Sequence, residues 1–323
     1  VVHGPHAPID GLGTDAGLGV HDEPGPPLNR PFTAKEIQSL GDSFVLPADN
    51  HVHTEWSWEA TGGSMEKSCA RAVELGVPSI AFTEHGDLTR WAVAPEFLPR
   101  LPECFRARVG PAGVLVPPDL EVAGYLEAVR RCRGLFPELR ILTGIELSEP
   151  HWHADRVAAL LSGGRFDRVL GSVHSISTSA GHLMVDDRYR TRSADAVGRE
   201  YLAEVLRMIE TCDAFQVLAH VDYFVRSWPP DAEPYRPELF EEEFRAVLRA
   251  LARTGRALEV NMKVPLHGAV VSWWHEAGGE AISFGSDAHA PERIAHGFAD
   301  AAALAAAHGF RPGPEPMGFW TRN

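Results

Sequence analysis

The chain has no run of about eighteen apolar residues, so no membrane-spanning helix is expected. It is short of positive charge: 30 Lys and Arg stand against 44 Asp and Glu, a formal net charge of −14. That balance argues against non-specific binding to nucleic acid or to an anionic membrane, since both need positive potential. A small anionic molecule stays open, because bound cations invert the field locally. Cysteine is scarce. Cys69, Cys104, Cys132 and Cys212 are widely spaced and form no Cys-x-x-Cys pair, so neither a zinc knuckle nor a disulfide framework is expected. Free thiols in a reducing compartment are the simpler reading. The first residues lack a basic segment followed by an apolar one, and the expected location is therefore cytoplasmic. No internal repeat and no second core is visible in the 323 residues. The oligomeric state is left unassigned by the sequence.

Residues 1–42 are rich in Gly and Pro and read as an extended arm. Gly11, Gly13, Gly17 and Gly19 only superficially resemble a phosphate loop, because no strand precedes them. Residues 43–323 read as one domain. Short apolar runs at 44–49, 78–83, 140–146, 168–173, 214–219, 257–261 and 282–286 suggest buried parallel strands. Helical spacing covers 64–75, 120–133, 195–211, 237–254 and 291–307, with Ser64 and Gly76 as caps of the first. Alternation of strand and helix implies a parallel sheet, and seven such units favour a barrel over an open sheet. The Pro-rich segment 90–119 reads as an insertion contributing to a lid.

Histidine is abundant, at sixteen residues, and several sit where these runs end. Asp-Asn-His-Val-His spans 49–53, Thr-Glu-His 83–85, Gly-Ile-Glu 144–146, Gly-Ser-Val-His 171–174, Leu-Ala-His 218–220 and Gly-Ser-Asp-Ala-His 285–289. His51 and His53, like Asp287 and His289, are two residues apart, which on an extended strand puts both on one face. Glu84 and His85 must point to opposite faces, so at most one of them faces the barrel mouth. A carboxylate such as Glu146 is costly to bury unpaired, and a metal removes that cost. Each residue alone has an ordinary structural explanation. Their joint occurrence at six successive strand ends points to a cage for several metal ions.

Taken in order, these motifs resemble the PHP (polymerase and histidinol phosphatase) superfamily of metal-dependent phosphoesterases, over roughly residues 45–300. The resemblance implies an α/β fold, a distorted TIM-like (β/α)7 barrel, with three divalent metal ions (Zn, Mn or Fe) at its mouth. The nine ligand positions it implies fall on His51, His53, Glu59, His85, Glu146, His174, His220, Asp287 and His289. Glu59 is the loosest match, since Asp or His is more usual there. Leu-Gly-Ser-Val-His at 170–174, Ala-His-Val-Asp-Tyr-Phe-Val-Arg at 219–226 and Gly-Ser-Asp-Ala-His-Ala-Pro-Glu at 285–292 are similar to bacterial histidinol-phosphate phosphatases within that superfamily. That likeness implies hydrolysis of a phosphate monoester of a small metabolite by a metal-bridging hydroxide. Arg226 would bind phosphate, and Asp222 would protonate the leaving oxygen or hold a substrate amine. The position of a second phosphate-binding Arg carries Leu266 instead, so either Lys263 or His267 replaces it or the pocket accepts a phosphate ester other than histidinol phosphate, and Leu266→Arg is expected to improve histidinol phosphate if that is a poor substrate. Two other readings remain: a phosphodiesterase or nuclease of the same superfamily, disfavoured by the missing basic stripe, and a metal-binding protein that has lost catalysis.

Overall fold

The computed structural model describes residues 46–179, 181–313 and 318–322. The arm expected at the start of the chain and its glycine cluster lie outside these residues. Seven strands form the expected parallel set: β1 (Asp49–Val52), β2 (Ser79–Asp87), β3 (Arg140–Ser148), β4 (Arg168–Ser172), β5 (Val217–Leu218), β6 (Ala257–Asn261) and β7 (Ala281–Gly285). Each pairs in parallel with the next in chain order. The ring closes at one end only. There, Val52 bridges Ala288, His53 N donates to Ala288 O at 2.8 Å, and Asp287 N donates to His51 O at 2.8 Å. Nearer its start, β7 instead pairs antiparallel with Trp320–Arg322, which pairs in turn with Phe310–Pro312. This pairing distorts the barrel, and because the motifs lie at the closed end, closure brings the first and last of them together.

The strands begin and end differently from their apolar runs. β1 lies at 49–52 rather than 44–49, so the His-Val-His motif starts inside the strand. β2 runs four residues past its expected end and carries Glu84, His85 and Asp87 within the pleat. Polar side chains can occupy these pleat positions because they pair with polar groups of other segments: Glu84 with Ser57, His85 with Glu59 and Asp87 with Ser148.

Helices pack outside the ring. α1 (Met65–Leu75) opens on Ser64, whose side chain accepts from Lys67 N, and stops at Gly76, whose φ of 72° fits the left-handed cap that only glycine adopts cheaply. α2 (Val122–Leu135), α4 (Ala194–Thr211) and α5 (Glu241–Thr254) follow the expected periodicity, whereas α3 (Ala154–Ser162) and α6 (Gly268–Glu276) were not expected. The single helix expected over 291–307 is a short 3-10 turn at Pro291–Arg293 followed by α7 (Phe298–Ala307). Left-handed Ala295 and Gly297, with φ of 52° and 70°, break it. The core between ring and helices includes Phe82, Tyr125, Tyr201, Phe244, Phe284 and Trp274, all fully buried. Each such side chain contributes roughly 1.5–3 kcal/mol relative to exposure.

A second, four-stranded sheet stands apart. Its strands, in spatial order, are Val114–Leu115, Trp91–Ala92, Gly181–Met184 and Ser175–Thr178. The first two come from the Pro-rich insertion. With Trp91, Val93 and Leu115 they build a small apolar core of their own, against which Trp58, Phe105 and Met184 pack.

Candidate metal centre

Glu146 is the hub of the barrel mouth. It is 1 % exposed, and its carboxylate oxygens lie 2.7 Å from His220 Nε2, 3.2 Å from His85 Nδ1, 3.3 Å from His174 Nε2, 3.4 Å from His51 Nε2 and 3.5 Å from His53 Nε2. Five imidazoles from four strand ends thus face one buried carboxylate. On the outer side, Glu59 lies 2.6 Å from His85 Nε2 and 3.3 Å from His289 Nε2. Asp287 lies 3.5 Å from His53 Nε2 and 3.5 Å from His289 Nδ1. All nine positions singled out in the sequence meet at this mouth. They fall into overlapping groups, in each of which the ligand-type atoms lie within 4.8 Å of one another: His53, Glu59, His85 and His289; His51, Glu146 and His220; His51, His53 and Asp287; and His85, Asp87 and His174.

The donor chemistry fits divalent ions. Three rings are held so that one nitrogen lone pair faces inward. His51 Nδ1–H donates to Glu259 Oε1 at 2.7 Å. Ser57 gives its hydroxyl proton to Glu84 Oε2 at 2.6 Å, so it accepts from His53 Nδ1 at 3.1 Å. Ser148 gives its proton to Asp87 and accepts from His174 Nδ1 at 2.9 Å. In each case the outer partner fixes the tautomer and leaves Nε2 free. The freed nitrogens crowd: His51 Nε2 is 3.0 Å from His53 Nε2, and His174 Nε2 is 3.4 Å from His220 Nε2. Glu59 and His85 are buried in contact with each other, yet neither oxygen of Glu59 nor Nδ1 of His85 makes a well-directed hydrogen bond among the described residues. Buried polar atoms without directed partners are costly, and cations would satisfy them together.

Backbone strain aims two of the ligands. His220 and Asp287 adopt left-handed φ of 21° and 51°. Such residues are uncommon outside glycine, and here each lies two residues past a strand end, where the chain leaves the pleat at the mouth. Gly285 serves the same end by close approach: a Cβ there would sit 2.0 Å from Glu259 Oε1 and 2.6 Å from His51 Cβ.

Charge is shared unevenly across the cluster. Burial works against a charged His85, but Glu59 and Asp87 outweigh it and raise its pKa to about 10. Burial likewise opposes a charged His174, and Glu146 and Asp87 together outweigh it, raising the pKa to about 9. Burial holds His220 down to about 4, helped by the nearby Arg226 charge. Burial opposes ionisation of Glu146, yet His51 and His174 hold it well below the usual carboxylate range. Without metal, therefore, protons occupy part of the cage, and an arriving cation must displace them.

The remaining sequence candidates separate. Arg226 lines the cavity at the mouth and donates to Asp287 and, at 3.3 Å, to Asn261 Oδ1, with its guanidinium over the Tyr223 ring. Lys263 lines it too, with Nζ 3.3 Å from Asp287 Oδ1. His267 does not. It is exposed and caps α6, accepting from Ala269 N at 3.2 Å, so it cannot replace the missing arginine. Leu266 is 3 % exposed and belongs to the main core. A guanidinium at that position would enter apolar packing, and the expected gain from Leu266→Arg gives way to an expected loss of stability. Asp222 is buried, and burial pushes its pKa up to about 6, but the cavity wall there consists of Tyr223 and Arg226.

Four residues of the cage have no role assigned from the sequence: Asp87, Glu259, Ser57 and Ser148. Asp87 carries a usable signal, since it lies two residues after His85 and so shares its face. Glu259 sits in the Leu-Glu-Val-Asn stretch at 258–261, which resembles the same phosphatases without marking a role for it. Ser57 and Ser148 carry none, since a serine near a strand end is ordinary until the fold shows that it orients His53 or His174.

Fold and mouth together define an α/β barrel able to gather several cations at the carboxyl ends of its strands. The chain belongs to the PHP domain family, whose model matches residues 49–263. It is 24 % identical over 256 residues to the histidinol-phosphatase of Lactococcus lactis, an alignment that covers 76 % of this chain and 85 % of that protein. A protein of Thermotoga maritima named "probable histidinol-phosphatase" is 32 % identical over 110 residues, covering 32 % of this chain and 45 % of that one. The crystal structure of histidinol phosphate phosphatase from Lactococcus lactis, in complex with Zn, L-histidinol and phosphate, superposes with a TM-score of 0.69 at 21 % identity, covering 85 % of this chain and 99 % of that one.

Proposed function

We propose that the chain is a metal-dependent phosphatase acting on a small phosphate monoester, with histidinol phosphate as the substrate its relatives favour. The observation that carries this reading is the Glu146 hub with five imidazoles around it, flanked by two cations that line the same cavity. The nine residues, joined by Asp87, would hold three divalent ions, with Zn, Mn and Fe all suited to imidazole and carboxylate ligands. When bound, such ions supply positive charge beside the phosphoryl group and make a water acidic enough to attack at neutral pH.

The chain's own residues do the rest. Arg226 and Lys263 bracket Asp287, so a phosphate at the mouth meets a guanidinium fork and an ammonium. These cations stabilise charge spread over the equatorial oxygens as the ester bond breaks. Lys263 takes the part of the missing second arginine. Asp222 lies outside the wall, so the geometry gives it no direct path to a leaving oxygen. The cavity, at about 270 Å³, has room for a small monoester.

A substrate panel tests the reading. Protein stripped by a chelator and reloaded with Zn, Mn or Fe is given histidinol phosphate, glycerol phosphate and a dinucleotide. Phosphate release is expected from the monoesters, fastest from histidinol phosphate. Cleavage of the dinucleotide with no monoester turnover would put a phosphodiesterase in its place.

A further inference from the structure

At the opposite end of β3 from the mouth, where that strand starts, lies a cavity of about 650 Å³ lined chiefly by arginine. Arg130 and Arg133 reach it from the second half of α2, Arg140 from the first residue of β3 and Arg165 from the turn before β4. Asp167 is the one acid among the described lining residues. Four guanidiniums against one carboxylate reverse the balance of a chain whose net charge is −14. Arginines near the end of a helix are commonplace, because cations suit a helix C-terminus. That accounts for Arg130 and Arg133 but not for Arg140 and Arg165, which come from other segments.

The carboxylate is already engaged. Asp167 Oδ2 accepts from Thr143 Oγ1 at 3.0 Å, from Thr143 N at 3.2 Å and from Arg133 at 3.3 Å. Arg133 is fixed further by its Nε–H, which donates to Ile141 O at 2.8 Å. Arg130 pairs with Glu127, one turn earlier on α2. Arg165 is exposed, and its 3.8 Å approach to Asp167 Oδ1 is too long for a hydrogen bond. The Arg140 side chain is exposed and makes no ion pair or hydrogen bond among the described residues. Arg140 and Arg165 therefore hold unused donors in a place where like charges gather, and a multiply charged anion both relieves the repulsion and matches the fork-shaped donors.

We propose that this cavity is a second binding site, for an oligophosphate such as a di- or triphosphate group, free or carried by a nucleotide. One phosphate is matched by one or two guanidinium forks, so four forks suit a ligand with more than one phosphate. The site is separate from the metal centre, since Arg140 and Glu146 lie six residues apart on one strand, about 20 Å. It stands whether or not the metal centre hydrolyses monoesters.

Calorimetry on metal-loaded protein tests this at physiological ionic strength, where diffuse surface attraction is screened. The probe is the methylene-bridged analogue of triphosphate, which resists hydrolysis. Binding is expected, and it should weaken about tenfold or more in Arg140→Ala and in Arg165→Ala, each of which removes charge-assisted bonds from an exposed side chain. Arg133, which ties α2 to β3, is left in place. Arg131→Ala takes the same charge from α2 without altering the lining, and Arg226→Ala takes a cation from the mouth. Both should leave this binding event near that of the unaltered protein. The adenosine-bearing analogue distinguishes the two sources: tighter binding with the same dependence on Arg140 and Arg165 indicates a nucleotide, and equal or weaker binding a free oligophosphate. Absence of binding overturns the site. So does equal weakening in Arg131→Ala, which marks a diffuse field, or a loss confined to Arg226→Ala, which puts the anion at the metals.

Discussion

The two sheets divide the work differently. The large sheet gathers ligand-type side chains from six of its seven parallel strands at the mouth, on backbone fixed by neighbouring strands and outer helices. The small sheet, with strands of two to four residues, presents indole and phenyl faces from a Pro-rich insertion. Reaction chemistry needs positions held to a fraction of an ångström, and the barrel supplies them. Substrate choice tolerates looser surfaces, and an insertion can vary without disturbing the ring. Changes in the large sheet should therefore abolish activity toward every ester, whereas changes in the small one should only re-rank esters.

Glu146→Gln should break the large-sheet side most completely. It removes one charge from a carboxylate facing five imidazoles, and we expect activity to fall by at least about a hundredfold with metal content reduced. Glu55→Gln is the control. Glu55 is exposed and accepts from Met65 N at 2.6 Å, so it serves the start of α1 and its loss should leave turnover near normal. Equal activity in the two variants would show that the hub is misplaced.

Arg226→Ala comes next. Losing a charge-assisted pair to phosphate costs roughly 2–4 kcal/mol, about thirty- to a thousandfold in kcat/KM. Bound metal should be retained, and elemental analysis checks this. A collapse in metal content would mean that Arg226 chiefly restrains Asp287, to which it donates.

Glu259→Gln sharpens the comparison within the large sheet. Glu259 touches His51 Nδ1 and accepts from His220 N at 2.7 Å, so it orients two ligands without lining the cavity. Its loss should weaken metal binding by about ten- to a hundredfold, with activity recovered at high metal concentration. Activity that stays low at saturating metal would assign it a direct part in turnover instead.

The barrel was legible because apolar runs and the polar residues ending them recur in step. The His-Val-His and Asp-Ala-His spacings translate directly into shared faces. Boundaries were less legible: β1 and β2 extend into their motifs, where Glu259 and Glu146 stabilise His51 and Glu59 stabilises His85, contacts that no local propensity records. Ending β2 at residue 83 is what hid Asp87. Leu266 was misread because a matched position was taken for a matched direction, whereas the chain turns its side chain into the core. The aromatic cluster of the small sheet was invisible, since two-residue strands carry no periodicity and Trp91 and Phe105 meet Trp58 only through the fold.

Metal analysis of the purified protein tests the central claim most directly. Prepared without chelators, the protein should carry about three equivalents of divalent metal. Stripping should abolish phosphate release and lower Tm, and adding metal back should restore both, because ions bound only by the folded cage stabilise it by linkage. A stripped protein with unchanged turnover and unchanged Tm would contradict the account.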